Sequence, residues 1–257
     1  MTDTESLDKK NVVVLLKGGR LPSWHALTCE QQDAYSKEHV ELMLSVARKH
    51  RLIRLEGFKL IAPQRRWERF WIIEFPTLAG AESWIEAEIA PHYGTYGYQE
   101  YFLARPHLAG HFKSWVTLSE TVDPYPQITE SSEEPSLLPY NKKPFLEVDK
   151  TSVVVLLFGR WLPEGNMATP QERKDAEHIE LMQSVAHDHG LIRLEPFQLI
   201  GIQNEWHRAW IMEFPSLDGA EAWIENEVLP PHGRFSNKEF HLARKWAPRY
   251  FGKWAKW

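Results

Sequence analysis

The chain has 257 residues, 43% of them hydrophobic, with 30 basic and 35 acidic side chains and a formal charge of −5. That length allows one large or two ordinary domains with sizeable cores, and the acidic balance provides no global basic field for nucleic acid. The single cysteine, Cys29, excludes an internal disulfide and a thiolate metal cluster and suits a cytoplasmic protein. No apolar run approaches the ~18 residues of a membrane span. The polar stretch 1–10 lacks the apolar centre of a signal peptide and is expected to be a disordered arm.

Val12-Val13-Val14-Leu15-Leu16, ended by Gly18-Gly19, reads as a strand buried on both faces. Gln31 to His50 reads as a helix. At about 100° per residue, His39, Leu42, Met43, Val46, Ala47 and His50 share its inward stripe. Leu52 to Ile61 alternates as a strand, with Leu52, Arg54, Glu56, Phe58 and Leu60 on one face. After a turn at Pro63 to Arg66, Trp67 to Phe75 is a further strand, with Trp67, Arg69, Trp71, Ile73 and Phe75 on one side. Thr77 caps a helix from Leu78 to Ile89 that carries Ala81, Trp84, Ile85 and Glu88 and ends at Pro91. A Gly/Tyr-rich loop leads to a last strand, Glu100 to Arg105.

The same order then recurs. His39 and His178 are 139 residues apart, as are Arg54 and Arg193, Trp67 and Trp206, and Glu88 and Glu227. A repeat of this length means two copies of one folding unit: residues 11–116 and 151–257, joined by a Pro-rich, acidic linker over 117–150 that is expected to run along the surface. Each copy is β-α-β-β-α-β, the ferredoxin-like arrangement. Its sheet has helices on one face and leaves the other bare, so two copies gain by packing sheet to sheet. Each copy carries an aromatic extension, Phe112 and Trp115 in the first and Phe251 and Trp254 in the second. The basic, aromatic C-terminal segment is expected to dock on its own domain. A membrane-surface or nucleic-acid role for it is the alternative.

This order, with the segment Trp71-Ile72-Ile73-Glu74-Phe75-Pro76-Thr77-Leu78 running to Trp84, resembles the dimeric α+β-barrel superfamily. Glu213-Phe214-Pro215-Ser216-Leu217 to Trp223 is similar to small bacterial domains of unknown function; copy one has Thr77 where copy two has Ser216. The resemblance implies an α+β fold in which one chain supplies both halves of what other members build as a homodimer, leaving a monomer or a homodimer of the fused chain. It also implies a range of activities that includes cofactor-free monooxygenases, lactone isomerases, polyketide cyclases and several haem enzymes, so function has to be argued from a site.

His39 and His178 are the first candidates for such a site, because a histidine on an inward stripe can act as general base or as haem ligand. The structural alternative is a core histidine bonded to backbone or to a repeat-matched glutamate. Arg69 and Arg208, each between two tryptophans, Trp67/Trp71 and Trp206/Trp210, are placed to hold a carboxylate or a planar ligand. Arg54, Glu56, Arg193 and Glu195 would either bind a charged group or stitch the two sheets together. No metal-binding motif occurs, and no metal site is expected. These residues point to a small-molecule enzyme acting on an apolar, aromatic or polyketide-like substrate by proton transfer, without a cofactor. His39 or His178 would be the base, and the arginines would stabilise an enolate-like anion. A haem-binding enzyme of the same fold is the second reading, and a non-enzymatic ligand-binding or scaffold protein the third. Copy one has Tyr93, Tyr96 and Tyr98 where copy two has His232, Phe235 and Asn237, so if only one copy is functional this loop is expected to mark the difference.

Overall fold

The computed structural model describes residues 11–64, 67–90, 94–107, 115, 146 and 148–254. The expected N-terminal arm and nearly all of the expected linker lie outside them, as do Tyr93 and Phe112. Repeat 1 consists of β1 (Val12–Arg20), α1 (Cys29–Lys49), β2 (Arg54–Gln64), β3 (Trp67–Phe75), α2 (Leu78–Ile89) and β4 (Gly97–Pro106). Repeat 2 consists of β5 (Val153–Trp161), α3 (Asp175–Asp188), β6 (Arg193–Gln203), β7 (Trp206–Phe214), α4 (Leu217–Glu227) and β8 (Ser236–Lys245), followed by a short helix α5 (Arg249–Trp254).

Local chemistry accounts for the element ends. Thr28 accepts from the Gln31 amide and Gln31 returns a bond to the Thr28 amide, a reciprocal cap that starts α1. Thr77 and Ser216 accept from the Gly80 and Gly219 amides at the starts of α2 and α4. The two long helices differ. α1 is continuous for 21 residues, whereas its counterpart is split into Pro170–Arg173 and α3 by Lys174, whose backbone is left-handed at φ 57°.

The eight strands close into one barrel in the order β1-β3-β2-β8-β5-β7-β6-β4. The fold is thus the expected α+β barrel of two ferredoxin-like halves. Its walls face each other across a filled interior, and its edges are also hydrogen-bonded: β2 to β8 through Phe58, Lys59 and Leu60, and β4 to β6 through Ala104, Arg105 and Pro106. This pairing removes every free sheet edge. The continuous apolar run of β1 then makes sense, because Val13 and Leu15 point into the barrel while Val12, Val14 and Leu16 point at the helices. Phe58, Phe70, Phe102, Phe158 and Phe197 fill the interior.

One end of that interior is charged. Arg54 bonds Glu56 at 2.8 Å and grips Glu195 of the other repeat with both guanidinium nitrogens, while Arg193 bonds Glu56 at 2.9 Å and Glu195 at 3.0 Å. Burial alone would push both carboxyls up. The two arginines more than offset it, and Glu195 is held at about 2. These four residues therefore join the repeats.

The aromatic extensions cross between repeats. Trp115 of repeat 1 is buried among Met182, Phe214 and Trp223 of repeat 2. Phe251 of α5 is buried among Val40, Met43 and Trp84 of repeat 1. The expectation that the C-terminal segment docks on its own domain is corrected by this exchange: β8 runs alongside β2, so the chain leaving β8 emerges over repeat 1. The Trp246 amide donates to the Gly57 carbonyl at 2.8 Å, as the His107 amide does to Pro196 at 2.9 Å. Gly57 is needed at this approach, because a Cβ there would lie 2.5 Å from the Trp246 carbonyl oxygen. Gly57→Ala is expected to cost about 1–3 kcal/mol by overpacking, with the C-terminal helix released first. Thermal unfolding and limited proteolysis would check this, and an unchanged melting temperature with a protected tail would refute it. No helix among the described residues is long and apolar enough to cross a membrane.

Candidate functional site

Between the helices and the sheet of repeat 2 lies a cleft of about 260 Å³. α3 contributes Asp175, His178 and Met182 to it, α4 contributes Trp223 and Glu227, and β7 contributes His207, Arg208 and Trp210. β5 adds Arg160 and Trp161, the loop before β8 adds His232, and repeat 1 supplies His107 and Trp115.

His178 is the polar centre of this cleft. Its Nε2 lies 3.2 Å from Glu227 Oε2, and its Nδ1 makes no hydrogen bond among the described residues. Glu227 is also paired with Lys238 at 2.9 Å. Burial would raise its pKa, but the bond to His178 and the Lys238 ammonium prevail and hold the carboxyl at about 2. It is therefore an anion at all working pH values, and it fixes the ring that faces it.

The His232 ring lies flat on His178, centroid to centroid 3.7 Å, and makes an edge contact with Trp161 at 5.3 Å. Burial, then His178 and Lys238, drive the His232 pKa down to about 4. A histidine depressed below its ordinary value is more readily protonated in the unfolded chain. Its contribution to stability is thus complete above about pH 6.5 and is lost as pH falls toward about 4. We expect the melting temperature to decline across that window and His232→Phe, which keeps a stacked ring, to flatten the decline. Parallel pH profiles of the two proteins would refute this.

Arg208 is half-buried on the cleft wall, and its guanidinium has no ion-pair or hydrogen-bond partner among the described residues. Burial depresses its pKa. A cation held in an apolar wall without a counterion favours an anionic ligand group.

The structure divides the sequence candidates into three groups. His178, Arg208 and Trp210 come together in this cleft. Their counterparts His39, Arg69 and Trp71 lie at the equivalent positions of repeat 1, where His39 Nε2 is 3.1 Å from Glu88 Oε2. Arg54, Glu56, Arg193 and Glu195 point into the barrel on the opposite face of the sheet, bonded to one another, and Trp67 and Trp206 are buried in the barrel core. The structural alternative, a histidine bonded to a repeat-matched glutamate, is what both repeats show, with Glu88 and Glu227 as the partners. The signal was present, since both are carboxylates on the apolar stripe of a helix and each follows its histidine by 49 residues. Among the described residues, no three metal-type donors converge.

No family model matches the chain, and no curated protein matches it. Solved structures do. Chlorite dismutase from Candidatus Nitrospira defluvii in complex with imidazole has 10% identity and a TM-score of 0.64, with 97% of this chain and 98% of that one covered. A mutant of the same protein in complex with cyanide has 12% identity and a TM-score of 0.62 over the full length of both chains. These neighbours belong to a family of haem-binding enzymes. That finding overturns the expectations of a cofactor-free enzyme and of no cofactor, which rested on histidine, arginine and tryptophan, residue types that serve a haem pocket equally well. At such identity the likeness is one of architecture: the chain has the α+β-barrel fold that these chlorite dismutases share.

Proposed function

We propose that the chain is a haem-binding enzyme whose haem site is the cleft of repeat 2. The observation that carries this reading is the His178–Glu227 pair: a buried carboxylate holds one imidazole nitrogen at 3.2 Å while the other makes no protein hydrogen bond. That is a donor set haem iron would accept, an imidazole whose far nitrogen is anchored by a carboxylate. The residues present therefore fit the group. The cleft, about 260 Å³, lies just under the usual range of about 300–1,000 Å³ for ligand pockets, so its walls would have to part to admit a tetrapyrrole.

Haem, when bound, supplies electron-transfer and oxygen chemistry. The chain's own residues do the rest. His178 Nδ1 would ligate, and Glu227 keeps the proton of Nε2 and sets the ring angle. Lys238 keeps Glu227 anionic. Arg208 would hold an acidic substituent of the ligand, and Met182, Trp161, Trp210 and Trp223 keep water from the buried side. A scaffold without a ligand predicts packed histidines and no cavity, which the cleft beside His178 argues against. The test is titration of the purified full-length chain with haemin. A Soret band that saturates at one equivalent per chain is expected, and its absence after haemin addition would overturn the reading.

A further inference from the structure

The groove of repeat 1 that corresponds to the proposed haem cleft is occupied by the chain's own C-terminus. The Trp246 ring stands edge-on to Trp71 at 5.7 Å, and the Arg69 guanidinium lies 5.0 Å from its centroid. Phe251 is 7% exposed, packed among Leu16, Val40, Met43 and Trp84. Burial pushes the Tyr250 hydroxyl up from its ordinary range, and the charges of Arg20, Arg69 and Glu88 also act on it. In the repeat register, Arg69, Trp71, Met43, Trp84 and Glu88 correspond to Arg208, Trp210, Met182, Trp223 and Glu227, all of which line the cleft of repeat 2. The tail thus sits on the same walls that a ligand of repeat 2 would touch. Behind it the histidine–glutamate pair is intact, His39 to Glu88 at 3.1 Å, with Gln99 also donating to Glu88 at 3.0 Å.

The tail is attached in the way of a removable part. α5 has six residues, and it follows an irregular step at Ala247-Pro248 after β8 ends. Tyr250 is only half-buried, and the helix is tethered on its outer side by an exposed Lys253–Asp33 ion pair. Exposed pairs contribute little, and short terminal elements open at low free energy without global unfolding.

We propose that repeat 1 holds a second ligand cleft, plugged by Tyr250 and Phe251, which takes ligand at His39 when α5 swings out. Its ligand is of the class that Tyr250 stands in for: a flat aromatic bearing a hydroxyl, held by Arg20 and Arg69. The proposal rests on the reading of the repeat 2 cleft as a ligand site. Its occupant is this chain's own tail, so the site is closed in the resting protein.

The experiment uses the full-length chain with Tyr250→Ala, which removes the phenol and leaves the helix. p-Cresol, the tyrosine side chain as a free molecule, should bind Tyr250→Ala at one equivalent above wild type in calorimetry. Adding Arg69→Ala should weaken it about tenfold, the scale of one charge-assisted contact. Tyr250→Ala/Phe251→Ala should take two equivalents of haemin where wild type takes one, and His39→Ala in that background should return the count to one. A folded Tyr250→Ala that takes up no p-cresol, or a folded double variant still at one haemin, would overturn the plug. If the double variant fails to fold, p-cresol uptake by Tyr250→Ala decides alone. Wild type and variants without haemin uptake but with p-cresol uptake by Tyr250→Ala would sink the haem reading and leave the plug standing.

Discussion

Replacing Arg54 by alanine is expected to destabilise the folded chain by about 3–5 kcal/mol, the scale of removing one partner from a buried ion pair. Arg54, Glu56 and Glu195 are each no more than 8% exposed, and Arg193 completes a neutral ring of two cations and two anions. Without Arg54, one arginine faces two buried carboxylates, with Glu74 close by; Glu74 lies 3.9 Å from Arg54 in the native chain. The wild-type ring also carries a pH signature. Glu56 and Glu195 are held below their ordinary range, so their contribution is complete above about pH 4.5 and declines in more acid solution, the share of Glu195 being lost as pH falls toward about 2. Arg54→Ala should raise both carboxyls and begin to lose acid resistance at higher pH. Urea unfolding at neutral and mildly acid pH would measure both effects. Arg54→Met with Glu195→Met should recover much of the loss, because a well-packed apolar pair can replace a buried ionic one. If Arg54→Ala unfolds within about 1 kcal/mol of wild type, the ring does not hold the repeats together.

The ring also shows how far the residues alone can carry the argument. Period-two alternation put Leu52, Arg54, Glu56, Phe58 and Leu60 on one face; all but Leu52, which precedes β2 and packs in the helix-side core, share the barrel interior. The constant spacing of 139 residues made two βαββαβ units legible before any coordinates. What sat outside its reach is whatever depends on the pairing of the two copies. The bonds that close the barrel, such as those between Phe58 and Lys245, are backbone bonds and leave no mark in side-chain pattern. The exchange of extensions was hidden for a related reason. Trp115 and Phe251 match in register, and a symmetric pattern does not say onto which copy each one folds. At the site, His178 and Arg208 were legible as polar residues on apolar faces. Glu227 was legible as a carboxylate on the apolar stripe of a helix but needed the fold to bring it to His178 across 49 positions. His232 came from an irregular loop, where period carries no information about direction.

His178→Ala is the substitution with the largest expected effect on function. It removes the nitrogen that would ligate, and haemin added to the variant should give a broad, weak Soret band that does not saturate at one equivalent. Glu227→Gln is the finer test. It keeps an acceptor near Nε2 but loses the charge, and outer-sphere changes of this kind typically weaken a metal site about 10–100-fold. Glu227 is held at about 2, so wild type should keep a constant haem spectrum across neutral and mildly acid pH as far as this carboxylate is concerned. Lys238→Met takes away the cation paired with Glu227 at 2.9 Å and should push that carboxyl up toward its ordinary range. The three variants therefore form a series: ligand, ligand anchor, and anchor of the anchor, with haemin affinity falling most for the first and least for the last. Circular dichroism would establish that each is folded before the titration is read. Equal affinity in wild type and His178→Ala would move the site elsewhere. Equal affinity in wild type and Glu227→Gln, with His178→Ala still defective, would leave the ligand in place and deny its carboxylate any part in binding.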